Sequence, residues 1–168
     1  MVRFWNIIHY FVYKVDYKLH LLFNKINPFM LIHKLPFQKR IYAQKGIDIN
    51  NELNKAFKRP DVGISSIRAG GFMYILVFLF CFGVVNLYSA IIQKELNLQL
   101  YHFIALIIIS FIVNHFLLFK RDKYLEYFKE FEKMEKKEKM KWAWISLGVV
   151  LIILLFSVGS FAFLNYLL

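Results

Sequence analysis

Residues 71–92 read GFMYILVFLFCFGVVNLYSAII, 22 positions without a single charge. At about 1.5 Å per residue a helix of that length matches the hydrocarbon core of a bilayer, roughly 30 Å thick. Two more uncharged runs follow. Residues 100–119 read LYHFIALIIISFIVNHFLLF, and residues 142–168 read WAWISLGVVLIILLFSVGSFAFLNYLL, 20 and 27 positions long. In a soluble domain these would be three fully buried helices, and a chain of 168 residues has too little left to cover them. Composition agrees: 59% of residues are hydrophobic, with 19 Phe and 10 Tyr, and the mean hydropathy is +0.48. An ordinary globular domain carries about 45–50%. The expected fold is all-α, a polytopic membrane protein with three transmembrane helices.

The charges lie between these runs. Residues 1–68 hold 12 basic and 4 acidic side chains, residues 120–141 hold 9 and 6, and residues 93–99 hold only Lys94 and Glu95. Together they account for all 22 basic and 11 acidic residues and the net charge of +11. The positive-inside rule places 1–68 and 120–141 in the cytoplasm and makes 93–99 a tight outer turn. The expected location is the cell inner (cytoplasmic) membrane, with the N-terminus inside and the C-terminus outside. Trp142 and Trp144 then sit at the inner interface, and Tyr88, Tyr101 and Tyr166 near the outer one. A basic chain suits anionic lipid headgroups. Nucleic acid is not an expected partner, because no aromatic and basic recognition motif occurs. The lone cysteine, Cys81, excludes an intramolecular disulfide.

Residues 1–27 resemble neither a signal peptide nor a fourth span. Lys14, Asp16 and Lys18 fall in the middle, at about 2.5–3.5 kcal/mol each at a bilayer centre. Phe4, Trp5, Ile8, Phe11, Val12, Val15, Leu19, Leu22, Phe23 and Ile26 recur at three- and four-residue steps and share one helical face. Arg3, Asn6, His9, Lys14, Asp16, Lys18, His20, Asn24, Lys25 and Asn27 fill the other, interrupted by Tyr10, Tyr13 and Tyr17. Tyr13–Leu21 also alternates as a strand would, but the helical pattern persists over the longer window. An interfacial amphipathic helix is expected, ended by Pro28.

Residues 28–70 read as a cytoplasmic segment and linker. Phe29–Leu35 is a short apolar piece between prolines. Asp48 is placed to cap a helix in which Ile49, Leu53 and Phe57 share a face. Pro60, Gly63, Gly70 and Gly71 mark a linker into the first span. Residues 120–141, KRDKYLEYFKEFEKMEKKEKMK, contain no Gly or Pro and read as one charged cytoplasmic helical connector. Tyr124, Tyr127, Phe128, Phe131 and Met134 fall on one of its faces. The spacings Glu132–Lys136 and Glu135–Lys139 suit favourable pairs.

No motif for chemistry emerges. The glycines form no phosphate loop, and G-x-S-x-G, H-E-x-x-H and C-x-x-C are missing. The carboxylates stand among lysines, as on solvated faces. His102 and His115 are about 20 Å apart along one helix and point in different directions, so they cannot share a metal. The expectation is no cofactor and no enzyme. Intramembrane polar groups remain as clues, because lipid cannot satisfy them. Asn114 and His115 sit about a turn inside the second span, where Val77, Phe78, Val150 and Leu151 offer no polar partner. Two readings stay open: Asn114 and His115 reach up to the interface near Lys120 while the aromatic edge of 120–141 rests on lipid, or Asn114, His115, Tyr124, Phe128 and Phe131 are contacts to another membrane or cytoplasmic protein, or to a second copy. The expected function is non-catalytic: anchoring, regulation or an accessory role in a larger membrane assembly, or binding of another membrane protein. The alternative is an oligomeric channel or membrane-permeabilising protein. It is disfavoured because a water-filled pore needs a longer polar stripe than Ser110, Asn114 and His115 supply.

Overall fold

The computed structural model describes residues 1–28, 32–33, 35–46, 48–94 and 97–167. Among these every regular element is helical. In chain order they are α1 (Val2–Ile26), α2 (Pro36–Lys45), α3 (Ile49–Lys58), α4 (Ile64–Ile92), α5 (Leu100–Asn114), a π-helical turn (His115–Phe119), a 3-10 turn (Lys120–Asp122), α6 (Lys123–Glu132) and α7 (Lys136–Leu167). Three helical stretches are long and apolar enough to cross a membrane: Ile64–Ile92, Leu100–Glu132 and Lys136–Leu167. The chain divides into two compact units, Met1–Tyr10 with Gly71–Leu168, and Phe11–Gly70.

In the first unit, the three apolar helices bury narrow stripes. On α4 these are Met73, Leu76, Val77, Gly83, Asn86, Ser89 and Ala90. On α5 they are Leu106, Ser110 and Asn114, and on α7 Ser146, Ile153, Ser157 and Ser160. Small and polar side chains therefore dominate the inside. The outside carries the bulk, including Ile104, Ile107, Phe111, Leu151, Leu155 and Val158. A water-soluble domain sorts its residues the other way, whereas helices packed in lipid put small residues between them so that backbones approach closely. Gly83 shows why. A Cβ built there would fall 2.7 Å from the Phe156 ring and 3.3 Å from the Ser157 Cα.

The second unit is polar and aromatic inside. The α1 side chains Tyr13, Asp16 and His20 face α3 and the start of α4. The Tyr13 hydroxyl donates to the Lys58 carbonyl, Asp16 pairs with Arg68 at 3.2 Å, and His20 lies flat on Phe57 with ring centres 3.5 Å apart. Asp48 caps α3 by accepting from the Asn51 N–H at 3.3 Å. Gly46, at φ 62°, ends α2 in a left-handed conformation that glycine adopts without strain.

Several expectations change. The linker before the first span is shorter than 60–70, because α4 starts at Ile64. Its first turn is fixed by the Gly63 carbonyl, which accepts from Ser66 and Ile67 N–H, and by the Ser66 hydroxyl on the Pro60 carbonyl at 2.6 Å. Gly63 must be glycine, since a Cβ would collide with the Arg59 backbone. The connector 120–141 is not one helix. It turns at Arg121 and Asp122, both left-handed (φ 60° and 53°), and breaks again at 133–135. Arg121 adopts this conformation at a cost of about 1–2 kcal/mol, and Asp122 at less, because a short polar side chain tolerates this region. The turn brings the aromatic face of α6 back onto α1, and that burial offsets the cost. The break also removes Glu132–Lys136 and Glu135–Lys139 from a single helix. Lys139 Nζ instead donates to the Glu132 carbonyl at 2.7 Å.

The polar side of α1 was expected to face water and headgroups. Asn6, His9, Tyr10 and Tyr13 are buried instead, while Val15, Leu19, Leu22, Phe23 and Ile26 stand exposed. Most of the apolar piece 29–35, Glu95 and Leu96 of the outer turn, and Leu168 lie outside the described residues.

Candidate functional site

The densest polar chemistry in the first unit gathers where α5 gives way to the π-helical turn. Asn114 is fully buried there. Its amide nitrogen donates to the Ser110 carbonyl at 2.9 Å, one turn back on α5, and to the Met73 carbonyl of α4 at 3.2 Å. Its amide oxygen accepts from the indole N–H of Trp5 at 3.0 Å. One side chain thus joins α1, α4 and α5. An asparagine has two donors and one acceptor oxygen, and each kind is used here. The expectation that this chain offers Asn114 no polar partner is therefore corrected. A helix carbonyl accepts a second hydrogen bond through its spare lone pair, and an indole arrives from a segment some hundred positions away.

Asn6 makes the neighbouring link. Its amide nitrogen donates to the Val2 carbonyl within α1 and to the Leu117 carbonyl in the π-helical turn, both at 2.9 Å. A π-turn shifts the backbone ladder by one residue, and Asn6 bonds one of its carbonyls.

Beyond this point the site becomes aromatic. The His9 ring sits 5.1 Å from Phe128, 5.6 Å from Tyr124 and 6.0 Å from Phe119. Tyr10 meets Phe128 at 5.3 Å and Phe131 at 5.6 Å, edge to face. Such geometries add about 0.5–1.5 kcal/mol per pair to the burial itself. Arg3 closes the outer rim. It pairs with Glu130 at 2.8 Å and lies over the Phe131 ring at 6.0 Å. Both members of the pair are half exposed, so the pair adds at most about 1 kcal/mol. Phe4 meets Trp142 at 6.4 Å.

Of the five expected contact residues, Tyr124, Phe128 and Phe131 come together with Asn114 close by, and all four are buried by this chain. Covering the α6 aromatics requires no partner, because α1 covers them. His115 alone is exposed, stacked on Phe111 at 6.2 Å and edge-on to Phe116 at 5.7 Å. Sequence reasoning missed Trp5, Asn6 and His9. The available signal was the three tyrosines interrupting the polar side of residues 1–27, since a face rich in aromatic rings suits protein contact better than water.

Elsewhere a cavity of about 490 Å³ opens between α4 and α5, lined by Val84, Val85, Phe103 and Leu106 with Tyr88, Asn97 and His102 at the rim. His102 Nδ1 accepts from the Gln99 N–H at 3.0 Å, so it serves the start of α5. In the second unit Arg59 holds Asp61 at 2.7 Å. The guanidinium hydrogen bond lowers the Asp61 pKa to about 2 and raises that of Arg59. Among the described residues no group of three or more His, Cys, Asp or Glu is placed to hold a metal ion. Comparison of the chain with protein-family models, with curated proteins and with solved structures finds no match.

Proposed function

We propose that this chain is a multi-pass integral membrane protein that acts by contact and not by catalysis. Its role is to anchor, regulate or complete a larger membrane assembly, or to bind another membrane protein. The observation that carries the reading is the distribution of bulk on α4, α5 and α7, with serine, asparagine, glycine and alanine making up most of the inside, beside Met73, Leu76, Val77, Leu106 and Ile153, and most of the isoleucine, leucine and phenylalanine outside. That surface is stable in lipid or against other helices, and unstable in water. Four of the buried polar side chains support the same reading, because they are engaged on the chain itself. Asn114, Asn6, Ser110 and Ser160 all bond backbone carbonyls, and Asn114 also bonds the Trp5 indole. The orientation follows the charges, with residues 1–68 and 120–141 inside and 93–99 outside. His115 and the outward faces of α5 and α7 are the contact surface.

Two measurements test this. With Cys81→Ser as background, Asn97→Cys reacts with an impermeant maleimide in intact cells or spheroplasts, and Lys45→Cys does not. Reversed labelling overturns the orientation. A photo-cross-linking residue at position 115 traps a protein neighbour in the native membrane. Cross-links to lipid alone overturn the contact role. Cross-links only to further copies of the chain, together with ion conductance after reconstitution, favour the channel instead.

A further inference from the structure

The apolar and basic positions of α1 are legible in the sequence, and the structure adds which of them the second unit covers and which it leaves outside. Val15, Leu19, Leu22, Phe23 and Ile26 are 45–70% exposed and form one continuous apolar strip. The flank that carries Asp16 and His20 is taken up by Arg68 and Phe57. The opposite flank carries Lys14, Lys18 and Lys25, which at about 100° per residue fall within roughly 40° of one another. Lys18 and Lys25 are exposed, and the Lys14 ammonium lies 5.6 Å from the Tyr13 ring. Seen along its axis, this part of α1 therefore has a side held by the protein, an apolar side facing outward, and a basic edge between them.

We propose that this strip and its lysine edge form a binding surface for an anionic lipid leaflet. The proposal rests on the membrane reading above and names the partner chemistry of one part of it. Charge complementarity selects lipid over a protein helix. The strip is bordered by three cations on one edge, and residues 11–70 carry 11 basic side chains against 4 acidic. Lysine stems lie along hydrocarbon while their ammonium groups reach the headgroup phosphates. The bound α1 lies flat, with Leu19 and Leu22 at the level of the first acyl carbons. Asp16, the one acid in this part of the helix, is turned away toward Arg68, so the edge presents no carboxylate to repel the phosphates.

The test uses the full chain in nanodiscs, with Cys81→Ser and a fluorophore on Leu22→Cys. The quencher is a lipid with a nitroxide near the headgroup end of its acyl chain. A second label on Leu155→Cys in α7, quenched by a deep nitroxide, reads membrane insertion by itself. In discs containing phosphatidylserine, the position-22 label is quenched. Lys18→Gln with Lys25→Gln lowers the ratio of surface-bound to released α1 by about thirtyfold, from the usual contribution of each lysine near an anionic surface. Phosphatidylcholine discs give a comparable loss. Equal quenching in both lipids and in the double variant overturns the requirement for anionic lipid, and with it the proposal. A blue-shifted but unquenched label at position 22 means that protein covers the strip, which also overturns it. Quenching at 155 without quenching at 22 removes the binding surface and leaves the membrane reading standing. No quenching at either position overturns both.

Discussion

The interior of the apolar helices and the aromatic cluster around α6 belong to the same compact unit and are built on opposite terms. Along α4, α5 and α7 the buried stripe is thin, and Gly83, Asn86, Ser89, Ala90, Ser110, Asn114, Ser146, Ser157 and Ser160 outnumber Met73, Leu76, Val77, Leu106 and Ile153 in it. At the charged end, the buried residues are mostly large, among them Ile7, Ile8, Tyr10, Leu118, Tyr124, Phe128 and Phe131, with Asn6 and His9 beside them. If these helices span lipid, as proposed, the first arrangement gains nothing from excluding water, and close packing and hydrogen bonds hold it. The second resembles a soluble core in which burial of large rings supplies the stability. Under the proposed membrane reading the contrast sets a region suited to lipid against one suited to water, and Asn114 with Trp5 lies where the two meet.

The comparison is broken most readily at Phe131, which is completely buried. Phe131→Ala should cost about 3–5 kcal/mol, the usual range for a buried phenylalanine. Leu106→Ala on α5 should cost less than half of that if lipid is the alternative environment of its face. Thermal unfolding in one detergent, with protease cleavage near residue 14 reporting release of α1, compares the two. Equal losses would show that both interiors follow the same rule.

The close packing of α4 and α7 is the next point to probe. Gly83→Leu forces the Phe156 ring and the Ser157 backbone away and should cost about 1–3 kcal/mol by overpacking. Gly159→Ala, where no atom lies within 4 Å of an added Cβ, should be neutral or slightly stabilising. Melting temperatures of the two variants check this ordering.

At the border, Asn114→Leu removes three hydrogen bonds, and Trp5→Phe removes one of them. The coupling between the two changes in a double-mutant cycle should be about 0.6 kcal/mol and below about 2 kcal/mol. The protein should remain inserted and abundant. A coupling near zero would detach Trp5 from Asn114 and move the border elsewhere.

The smallest effect concerns Asp61 and Arg59, an exposed pair. The Asp61 pKa is lowered from 3.8 to about 2, so the pair's contribution is complete above the unfolded value near 4 and lost as pH falls through about 2. The raised Arg59 pKa adds no loss until far into alkali. The carboxyl resonance of Asp61 should titrate with a midpoint near 2; the pair should add no pH dependence to stability between pH 5 and 8, while Asp61→Asn should lower stability slightly and evenly across that window. A midpoint near 3.8 would dissolve the pair.

The three long apolar helices were legible because length and an absence of charge identify them without knowledge of neighbours. Residues 1–27 were legible as a helix for a similar reason, since a three-and-four spacing persists over many turns. The direction in which that helix faces was not legible. Hydrophobic periodicity says that two sides differ, and it does not say which side meets protein. Asn6, His9 and Tyr10 are polar by composition, yet Asn6 bonds the Leu117 carbonyl and the two rings pack against Phe128. The break of the connector at Arg121 and Asp122 was hidden as well. Arg121 does not favour a positive φ, and the burial of the α6 aromatics against α1 offsets the cost of that turn.

The sequence by itself therefore determined which segments are helical and which of those are apolar enough for lipid, because both properties are sums over neighbouring residues. The tertiary structure decided which face each helix buries and what Asn114 bonds. Those depend on Trp5 and Met73 arriving from 109 and 41 positions away, and no local pattern records such a meeting.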